Sequence, residues 1–509
     1  MDFDKLIYAN ILTMDREYPV FQAVGIKNGK IAFLGMEQEA NTLEAKMILD
    51  YKGKTVLPGF IDTHVHAFPS AIMMTGVDLS SCTKIEEVTA SLADYCRRVP
   101  VGAWVFGSHF QDKLLAENRF PALAELDAVS AEHPIILIHN DLHPVMFNSQ
   151  AIKLLHLDSR PGLLLTDTEG NFIGIVKDTY CLQVMSELVE TFPDEAVLDA
   201  FKKLERHALK NGTTTICIKE SKAILKLLIE NREQFKVCLK PMLIYNEDKD
   251  IDEILGHPLL KDETCICVFA DGSFDAYNAA LFEPFDNDLG NFGVLNRSNQ
   301  ELYAIYKKVH DNGLQFSCHA IGDRAIQQVL DVTEQVLKEN SRTDHRHRIE
   351  HFEMPTQGQI NKAAQLGLAL AMQPLLLEVC EGMDMEGYRP YVGDRVVRCS
   401  PYRSLLDANA LIGAGSDFMV TDMLPLRAAQ VLMSHPVPEQ RIDLHECLEM
   451  YTGEAAKVAF LENKKGTIKL GMDADLVVID GDPYQTAIDK LSTIKVEMTI
   501  YNGEMVYSV

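Results

Sequence analysis

The sequence lacks the features that would place the chain in a membrane or on a nucleic acid. It contains no run of 18 apolar residues, and its first residues show no basic segment followed by an apolar one. Basic residues are scarce: 48 Lys and Arg stand against 74 Asp and Glu, and the resulting net charge of −26 repels phosphate backbones and anionic lipids. We therefore expect neither a membrane nor a nucleic acid as partner.

The cysteines also exclude a class of protein. All 11 are scattered through the chain without a CxxC pair, which is typical of free thiols in a reducing compartment rather than of a disulfide framework. We therefore predict a cytoplasmic protein. The 509 residues, 47% of them hydrophobic and 24% charged, are those of a folded globular chain too long for a single core, so a second structural unit is expected.

The two ends of the chain resemble each other and differ from the middle. Asn28-Gly29 and Asn502-Gly503 each stand between two β-rich runs, and such dipeptides favour two-residue hairpin turns. The segment "GTIKLGMDADLVVIDGDP" adds further strand and turn signals near the C-terminus. Both ends therefore predict small antiparallel sheets, and the two could share one sheet.

The middle repeats a helix, a glycine at the expected C-cap and a short apolar strand. "LERHALKNG" precedes "TTTICIKE", "LYAIYKKVHDNG" precedes "LQFSCHA", and "INKAAQLG" precedes "LALAMQP". Together with "TVLPGFIDTHVH" and four further apolar runs we count eight strands, which favours a closed barrel with its active site at the C-terminal strand ends. A doubly wound open sheet is the competing α/β architecture.

One long segment does not fit this repeat. Residues from about 68 to 201 are too many for a single connection between a strand and a helix. We interpret them as an inserted subdomain after the first barrel strand, at the barrel mouth, where it could close on a substrate.

Ligand-capable side chains stand where several apolar runs end. In a strand, His64 and His66 point to the same face about 6.6 Å apart, so both can bind one ion. Three other strand runs end at or just before His319, His351 and Asp417. Four imidazoles and one carboxylate at the same end of a barrel suit zinc, or another divalent ion that accepts nitrogen and oxygen ligands.

These motifs resemble a known family. "LPGFIDTHVH", "HAIGDRAI", "RHRIEHFE", "MQP", "GSD" and "KGTIKLGMDADLVVID" are similar to the amidohydrolase superfamily, and most closely to its branch of N-substituted formamide deformylases. The resemblance implies a distorted (β/α)8 TIM barrel at 56–464 and a β-sandwich built from 1–55 and 465–509. It also implies that His64 and His66 bind a first metal, His319 and His351 a second, and that Asp417 is both ligand and proton carrier.

One position departs from the family pattern. Relatives often have "KLFADG" in the fourth strand, where the lysine is carboxylated and bridges two metals, whereas this chain has "CVFADG" with Cys267 at the lysine position. Cys267 could be deprotonated beside a divalent ion and serve as the bridge. The alternatives are a one-metal site with Cys267 as a bystander, and a lysine from another strand, for which Lys219 is the candidate.

Six further residues are candidates for substrate binding. Trp104, Asp141 and His143 match pocket positions of the family, Asp271 and Gln373 stand at strand ends, and Arg324 opens the helix after His319. Four of them have a structural alternative: Trp104 as a core tryptophan, Asp141 and His143 as parts of a hydrogen-bonded loop, and Arg324 as a brace to Asp323 or Glu350. The roles of Asp271 and Gln373 stay open.

The predicted chemistry is hydrolysis of an amide-type C–N bond in a small molecule. Metal-bound hydroxide would attack the carbonyl, the metals would stabilise the developing charge, and Asp417 would carry the proton to the departing nitrogen. Deamination of a cyclic amine or amidine is the first alternative, although no HxxE follows the fifth strand. A non-catalytic binding or regulatory protein is the second. The sequence does not identify the substrate or the oligomeric state, although a homodimer is the commonest outcome.

Overall fold

The structure is a computed structural model, and it describes residues 2–15, 17, 20–139, 144–160, 163–177, 184, 188 and 191–509. The chain divides into two compact units. One comprises Met1–His66 with Glu205–Val509, and the other comprises Ala67–Leu204.

The described strands are numbered in chain order. They are β1 (Phe3–Leu12), β2 (Val20–Lys27), β3 (Lys30–Gly35), β4 (Ala45–Pro58), β5 (Phe60–Val65), β6 (Val77–Asp78), β7 (Val105–Phe110), β8 (Ile135–His139), β9 (Pro144–Phe147), β10 (Ile175–Lys177), β11 (Thr213–Glu220), β12 (Cys238–Ile244), β13 (Cys265–Phe269), β14 (Gln315–Ala320), β15 (Arg348–His351), β16 (Ala369–Met372), β17 (Leu411–Ala414), β18 (Leu476–Ile479), β19 (Val496–Tyr501) and β20 (Glu504–Ser508).

The described α-helices are numbered in the same way. They are α1 (Glu37–Ala40), α2 (Ala67–Met73), α3 (Ile85–Cys96), α4 (Leu123–Asp127), α5 (Ser149–Leu154), α6 (Asp194–Lys210), α7 (Lys222–Glu230), α8 (Asp248–Gly256), α9 (Asn299–Asp311), α10 (Asp323–Glu339), α11 (Gln357–Gln365), α12 (Arg389–Val392), α13 (Tyr402–Asp407), α14 (Pro425–Met433), α15 (Leu444–Met450) and α16 (Gly453–Val458). A π-helical turn covers Leu377–Glu381, and short 3₁₀ turns cover Asp112–Leu114, Leu157–Ser159, Arg232–Gln234, Gly393–Arg398, Pro438–Gln440 and Ile488–Thr493.

Eight parallel strands of the described chain form one sheet. Their order is β5-β11-β12-β13-β14-β15-β16-β17, which follows the chain from first to last. The two outer strands approach each other, because Val65 at the end of β5 forms a bridge with Phe418 after β17. All eight residues of β11 are buried, as expected for a strand that is covered on both faces. The sheet is therefore a nearly closed, distorted (β/α)8 barrel as predicted, and the open-sheet alternative is wrong.

The predicted glycines end three of the helices before barrel strands. Gly212 follows α6, Gly313 follows α9 and Gly367 follows α11, with φ of 80°, 76° and 69°. These values lie in the left-handed region that glycine adopts without a Cβ clash. The local sequence thus fixes where each of these helices stops and the next strand begins.

The two termini share one seven-stranded sheet. Its order is β20-β19-β18-β4-β1-β2-β3, and the hairpins β2–β3 and β19–β20 turn at Asn-Gly dipeptides whose residues all have positive φ. The sheet folds back on itself, since Ile31 N donates to Met472 O and Ala474 N donates to Gly29 O. Side chains from β2 and from β18–β19 consequently enclose a common apolar core, in agreement with the predicted β-sandwich. The residue limits predicted for the domains stay a prediction.

The second unit follows β5 in the chain, where the insertion is predicted. Its described strands form a five-stranded sheet in the order β10-β9-β8-β7-β6. Val88 and Leu92 of α3 pack with Val105 of β7 and with Ile135 and Leu137 of β8 in its apolar core.

Three buried histidines form a hydrogen-bonded cluster away from the C-terminal strand ends, and we call this cluster the histidine chain (His310, His345 and His347). His347 Nδ1 accepts from Phe316 N at 2.8 Å, so its Nε2–H donates to His310 Nδ1 at 2.8 Å. His345 Nδ1 accepts from His347 N, and its Nε2–H donates to Leu366 O. His310 Nε2–H donates to Asn340 O at 2.9 Å. Every ring nitrogen of the histidine chain therefore has a hydrogen-bond partner when the rings are neutral. Both ring nitrogens of His347, which directly precedes β15, are taken up by these bonds.

Candidate metal centre

The predicted ligands lie at the C-terminal ends of barrel strands. His64 lies in β5 and His66 directly follows that strand, His319 and His351 lie at the ends of β14 and β15, and Asp417 follows β17 by three residues. Because neighbouring strands of the barrel are parallel, these ends share one face of the barrel.

Three of these side chains converge. One ligand atom each from His64, His66 and Asp417 lies within 4.8 Å of the other two, the only such group of three found among the described residues. Asp417 Oδ1 is 3.3 Å from His64 Nε2 and 3.2 Å from His66 Nε2. The first and last strands are tied together here, since Asp417 N donates to His64 O at 2.9 Å and His66 N donates to Phe418 O at 3.2 Å.

The other two histidines adjoin this group. The His351 ring centroid is 5.2 Å from that of His64 and 4.5 Å from that of His319. His319 Nε2 lies 3.0 Å from Gly272 O, so its Nε2–H donates to this carbonyl and its Nδ1 keeps a lone pair. Burial, with the charge of Lys219, lowers the pKa of His319 to about 3, so its ring is neutral, which is the form that binds a metal.

A buried ion pair orients His64. His64 Nδ1 donates to Glu350 Oε2 at 2.7 Å, which leaves the Nε2 lone pair facing Asp417 and His66. Arg348 Nε lies 2.8 Å from Glu350 Oε1, and the two side chains are 1% and 0% exposed. Although burial opposes it, the Arg348 charge and the His64 hydrogen bond hold the pKa of Glu350 well below its ordinary value. Glu350 is thus an ionised acceptor that fixes both the tautomer and the direction of the His64 ring.

Asp62 connects the two chain segments that carry His64 and Asp417. Its Oδ1 accepts from His64 N at 3.1 Å and from Ser416 N at 3.0 Å, and this links β5 to the residue before Asp417. Burial raises the pKa of Asp62 to about 6.

Two of the predicted ligands have unusual backbone conformations. His351 has a φ of 69° and Asp417 a φ of 54°, both in the left-handed region that non-glycine residues rarely adopt. Each costs about 1–3 kcal/mol and persists only where the surrounding structure imposes it. Such outliers concentrate at functional sites, and here they coincide with two residues that the sequence identifies as ligands.

Cys267 is not part of the converging group. In the β13–β14 register, Phe269 pairs with His319, whereas Cys267 pairs with Ser317. Cys267 therefore lies about 6.6 Å deeper in the barrel than the level of His319. The side chain is fully buried, and burial raises the pKa of its thiol.

Lys219 lies beside the group instead. It is 1% exposed at the end of β11, and its Nζ is 3.5 Å from His64 Nε2 and 4.4 Å from the centre of the Phe269 ring. Its amine is therefore not exposed to solvent. The only sequence signal for Lys219 is the absence of the usual lysine from the fourth strand.

Two predicted substrate residues are engaged in holding the loops. Asp271 accepts hydrogen bonds from the backbone N–H groups of Ala280, Ile321 and Gly322. Arg324 Nη2 donates to the carbonyls of Phe292 and Gly293, both at 3.0 Å, rather than to Asp323 or Glu350. Both side chains shape the connections after β13 and β14.

The remaining candidates differ in what surrounds them. Gln373 Nε2 donates to Ala371 O at 2.8 Å and lies 3.4 Å from His64 Nδ1, and its Oε1 has no hydrogen-bond partner among the described residues. Trp104 belongs to the second unit, where its ring stacks on Phe106 and Phe192. Asp141 and His143 lie outside the described residues.

Sequence reasoning missed the partners that orient the site. Glu350 directly precedes a ligand, and Asp62 stands two residues before His64, so their positions are visible in the motifs. Their roles are not visible there, because their hydrogen bonds join distant segments. Glu350 and His64 are 286 residues apart in the sequence, and Asp62 and Ser416 are 354 residues apart.

Two further observations bear on the predicted class. None of the helices in the part of the chain that the structure describes combines the length and apolarity needed to cross a membrane. The ten cysteines that the structure describes are free thiols.

Comparison with known proteins agrees with this architecture. The family model described as "Amidohydrolase family" matches residues 48–507. The chain is 26% identical to an N-substituted formamide deformylase of Arthrobacter pascens, over 99% of this chain and 98% of the relative. It is 25% identical to Protein LONG AFTER FAR-RED 3 of Arabidopsis thaliana, over 98% and 90%. A crystal structure of an uncharacterized metal-dependent hydrolase from Pyrococcus horikoshii has the same fold, with a TM-score of 0.79, 22% identity and coverage of 95% and 99%. The chain therefore belongs to the amidohydrolase family.

Proposed function

We propose that the protein is a metal-dependent hydrolase that cleaves an amide-type C–N bond of a small molecule. The observation that carries the proposal is the convergence of His64, His66 and Asp417, with the rings of His351 and His319 beside them. The formamide deformylase among the relatives makes N-substituted formamides the first substrates to test. Cytoplasmic location and a homodimer stay predictions.

The donor set fits one or two divalent ions, with zinc as the first choice. Asp417 Oδ1 and His351 Nδ1 are buried and have no hydrogen-bond partner among the described residues. A buried carboxylate oxygen without a partner is costly, and a cation at this point would remove that cost. Neutral imidazoles and a carboxylate are also the ligands that zinc accepts.

The residues around the centre divide the chemical work. When bound, a divalent ion supplies a nucleophile at neutral pH, because it lowers the pKa of its water to about 7, and it polarises the substrate carbonyl. Asp417 is the proton carrier: its Oδ1 is buried, has no hydrogen-bond partner among the described residues and lies 3.2 Å from His66 Nε2, so it is placed to accept a proton. It then delivers this proton to the departing nitrogen.

Lys219 is a better candidate than Cys267 for the group that joins two ions. The position of Cys267 lies one pleat below the site, so a long lysine there would reach the ions whereas the short thiol does not. As an ammonium, Lys219 points its Nζ at the His64 lone pair that an ion would take, and it would repel a divalent ion. Reaction with CO₂ removes this conflict: Lys–NH₃⁺ and CO₂ give Lys–NH–COO⁻ and two protons.

Metal analysis combined with two variants tests this assignment. The wild type is expected to hold about two zinc ions per chain, Lys219→Ala to hold one or none, and Cys267→Ala to match the wild type. Cys265→Ala, another buried thiol of β13, and Lys226→Gln, an exposed lysine, are the controls. A ¹³C carbamate signal after exchange with ¹³CO₂ should appear in the wild type and vanish only in Lys219→Ala. Loss of metal in Cys267→Ala with an unchanged Lys219→Ala would restore Cys267 as the bridge.

Activity assays separate the three functional classes. A panel of N-substituted formamides and acyl amides is compared with cyclic amines and amidines, and ammonia release is measured for the second group. Hydrolysis of the amides alone supports the proposal, and ammonia release from the cyclic compounds supports a deaminase. A protein that holds no metal and turns over neither group would be a binding or regulatory protein.

A further inference from the structure

Two glutamates near the candidate metal centre are buried without partners for their charge. Glu353 lies two residues after β15 and is 3% exposed, and Glu381 lies in the π-helical turn after β16 and is 0% exposed. Both carboxylate oxygens of Glu353 and Oε2 of Glu381 have no hydrogen-bond partner among the described residues. The other oxygen of Glu381 accepts from the hydroxyl of Ser400. We call Glu353 and Glu381 the acidic pair.

Two tyrosine hydroxyls lie near the acidic pair. Burial and then the charges of Tyr451, Glu381 and Glu353 raise the pKa of Tyr402, whose hydroxyl is buried and has no hydrogen-bond partner in the described part of the chain. Burial and then the charge of Glu353 raise the pKa of Tyr388, and the Tyr388 hydroxyl in turn lowers the pKa of Glu353. The unused oxygens of the acidic pair and the unused Tyr402 hydroxyl therefore lie in one buried region.

The arginines of this region do not neutralise the acidic pair. Arg398 Nη2 donates to Asp323 Oδ2 at 2.9 Å. Arg395 donates through Nε to Val392 O and through Nη1 to Glu283 O. The charge of the acidic pair therefore has to be compensated by protonation or by a cation that is not part of the chain.

The acidic pair belongs to the catalytic face of the barrel. Glu353 is two residues beyond His351, so their Cα atoms are at most about 7.6 Å apart. Glu381 lies in the segment that follows β16. This segment begins at Gln373, whose side chain lies beside His64. A small molecule at the metal centre is thus within reach of these loops.

The small number of ligands favours an organic cation over a metal ion. The acidic pair offers two carboxylates, whereas a protein site for zinc usually has three or four protein ligands. An ammonium, amidinium or guanidinium group carries several N–H donors and can satisfy acceptors that are farther apart.

We propose that the acidic pair binds a cationic group of the substrate, so that the enzyme acts on small amides that carry an ammonium, amidinium or guanidinium group. This inference rests on the proposed function, because it assumes that the metal centre processes the other end of the same molecule. The positive group would form charge-assisted hydrogen bonds with Glu353 and Glu381, and the Tyr402 hydroxyl would complete its environment.

A pair of matched substrates tests the proposal. N-formyl-1,4-diaminobutane and N-formylpentylamine have the same chain length and differ in a terminal ammonium or methyl group. The wild type is expected to prefer the cationic compound by at least about tenfold in kcat/KM, chiefly through KM, and Glu353→Gln and Glu381→Gln are expected to lose this preference. Glu386→Gln, an exposed glutamate close in sequence, should keep it.

Binding without turnover distinguishes this proposal from the proposed function. Titration calorimetry with 1-aminopentane, and with 1-pentanol as its neutral counterpart, requires no hydrolysis. Binding of the amine alone, weakened at least about tenfold in both glutamine variants and about two- to tenfold in Tyr402→Phe, supports the cation site even if no amide is cleaved. Tyr402→Phe also serves as the test if a glutamine variant does not fold by circular dichroism.

Three outcomes would overturn the proposal. The first is equal binding of amine and alcohol. The second is undiminished binding of the amine by the folded glutamine variants, which would make the acidic pair a protonated structural contact. The third is loss of a bound metal ion from Glu353→Gln and Glu381→Gln with no change in amine binding, which would make it a metal site.

Discussion

The buried Arg348–Glu350 pair allows the sharpest test of how the barrel supports the metal centre. The perturbation is Glu350→Gln, which keeps the size of the side chain and removes its charge. Glu350 accepts from His64 Nδ1 at 2.7 Å and from Arg348 Nη2 at 3.0 Å, and it also accepts from Ser317. The variant thus affects a metal ligand and an arginine that is 1% exposed at the same time.

Two magnitudes follow from this arrangement. Removal of one partner leaves the Arg348 charge buried without compensation, and the free energy of unfolding should fall by about 3–5 kcal/mol. The glutamine no longer fixes the tautomer of His64, so the zinc affinity should fall by about 10- to 100-fold. Neither effect requires a change of fold, because the side-chain volume is conserved.

Urea unfolding and zinc titration of the same preparations measure both effects. Glu454→Gln is the control, since Glu454 forms an ion pair with the half-exposed Lys457 and its loss should cost less than about 1 kcal/mol. The double variant Arg348→Met/Glu350→Gln should recover part of the stability but not the zinc affinity. If Glu350→Gln lost less than about 1 kcal/mol and bound zinc as tightly as the wild type, the pair would be hydrated and irrelevant to the site, and the reasoning would be refuted.

Three further predictions concern the histidine chain, a helix end and the proton carrier. Burial lowers the pKa of all three histidines of the chain, so they take up protons more readily when unfolded. The free energy of unfolding should therefore be highest above the unfolded pKa of about 6.5 and fall below that pH, by up to about 1.4 kcal/mol per pH unit for each proton. Urea unfolding midpoints at several pH values measure this fall, and it should be smaller in His310→Gln. Gly212→Ala should cost more than about 1 kcal/mol in thermal unfolding, since φ is +80° and a Cβ would lie 2.6 Å from Val477 Cγ2, whereas Gly256→Ala meets no atom within 4 Å and should cost nothing. Asp417→Asn should lower kcat by about 10²- to 10⁴-fold in the formamide assay, with an unchanged circular dichroism spectrum.

Much of the barrel could be predicted because each βα unit carries its own local signals. Gly212, Gly313 and Gly367 mark helix ends by their need for positive φ, and an apolar run follows each of them. Strand order then follows from the right-handed βα repeat, so five ligand-capable residues at strand ends are expected on one face. The hairpins at Asn28-Gly29 and Asn502-Gly503 are equally local.

Contacts between distant segments could not be predicted. The partner of Glu350 is set by how Arg348 and His64 meet inside the closed barrel, and nothing in the two motifs specifies this meeting. Arg324 illustrates the opposite case: its neighbours in sequence suggested Asp323 as partner, but Arg398 takes that carboxylate and Arg324 holds the loop at 292–293.

The depth of a residue in the barrel decides whether its side chain reaches the candidate metal centre. For this reason Lys219, rather than Cys267, is the proposed joining group. Family resemblance identifies a position along a strand, but the level of that position decides which side chain can serve there. The place of Cys267 lies one pleat below His319, a depth from which a long lysine reaches the centre and a thiol does not. Lys219 starts from β11, the strand next to β5, and its Nζ arrives 3.5 Å from His64 Nε2. If the centre requires a joining group, a lysine moved to the neighbouring strand preserves the reach of the side chain and the chemistry of its amine, whereas a cysteine at the original position preserves neither.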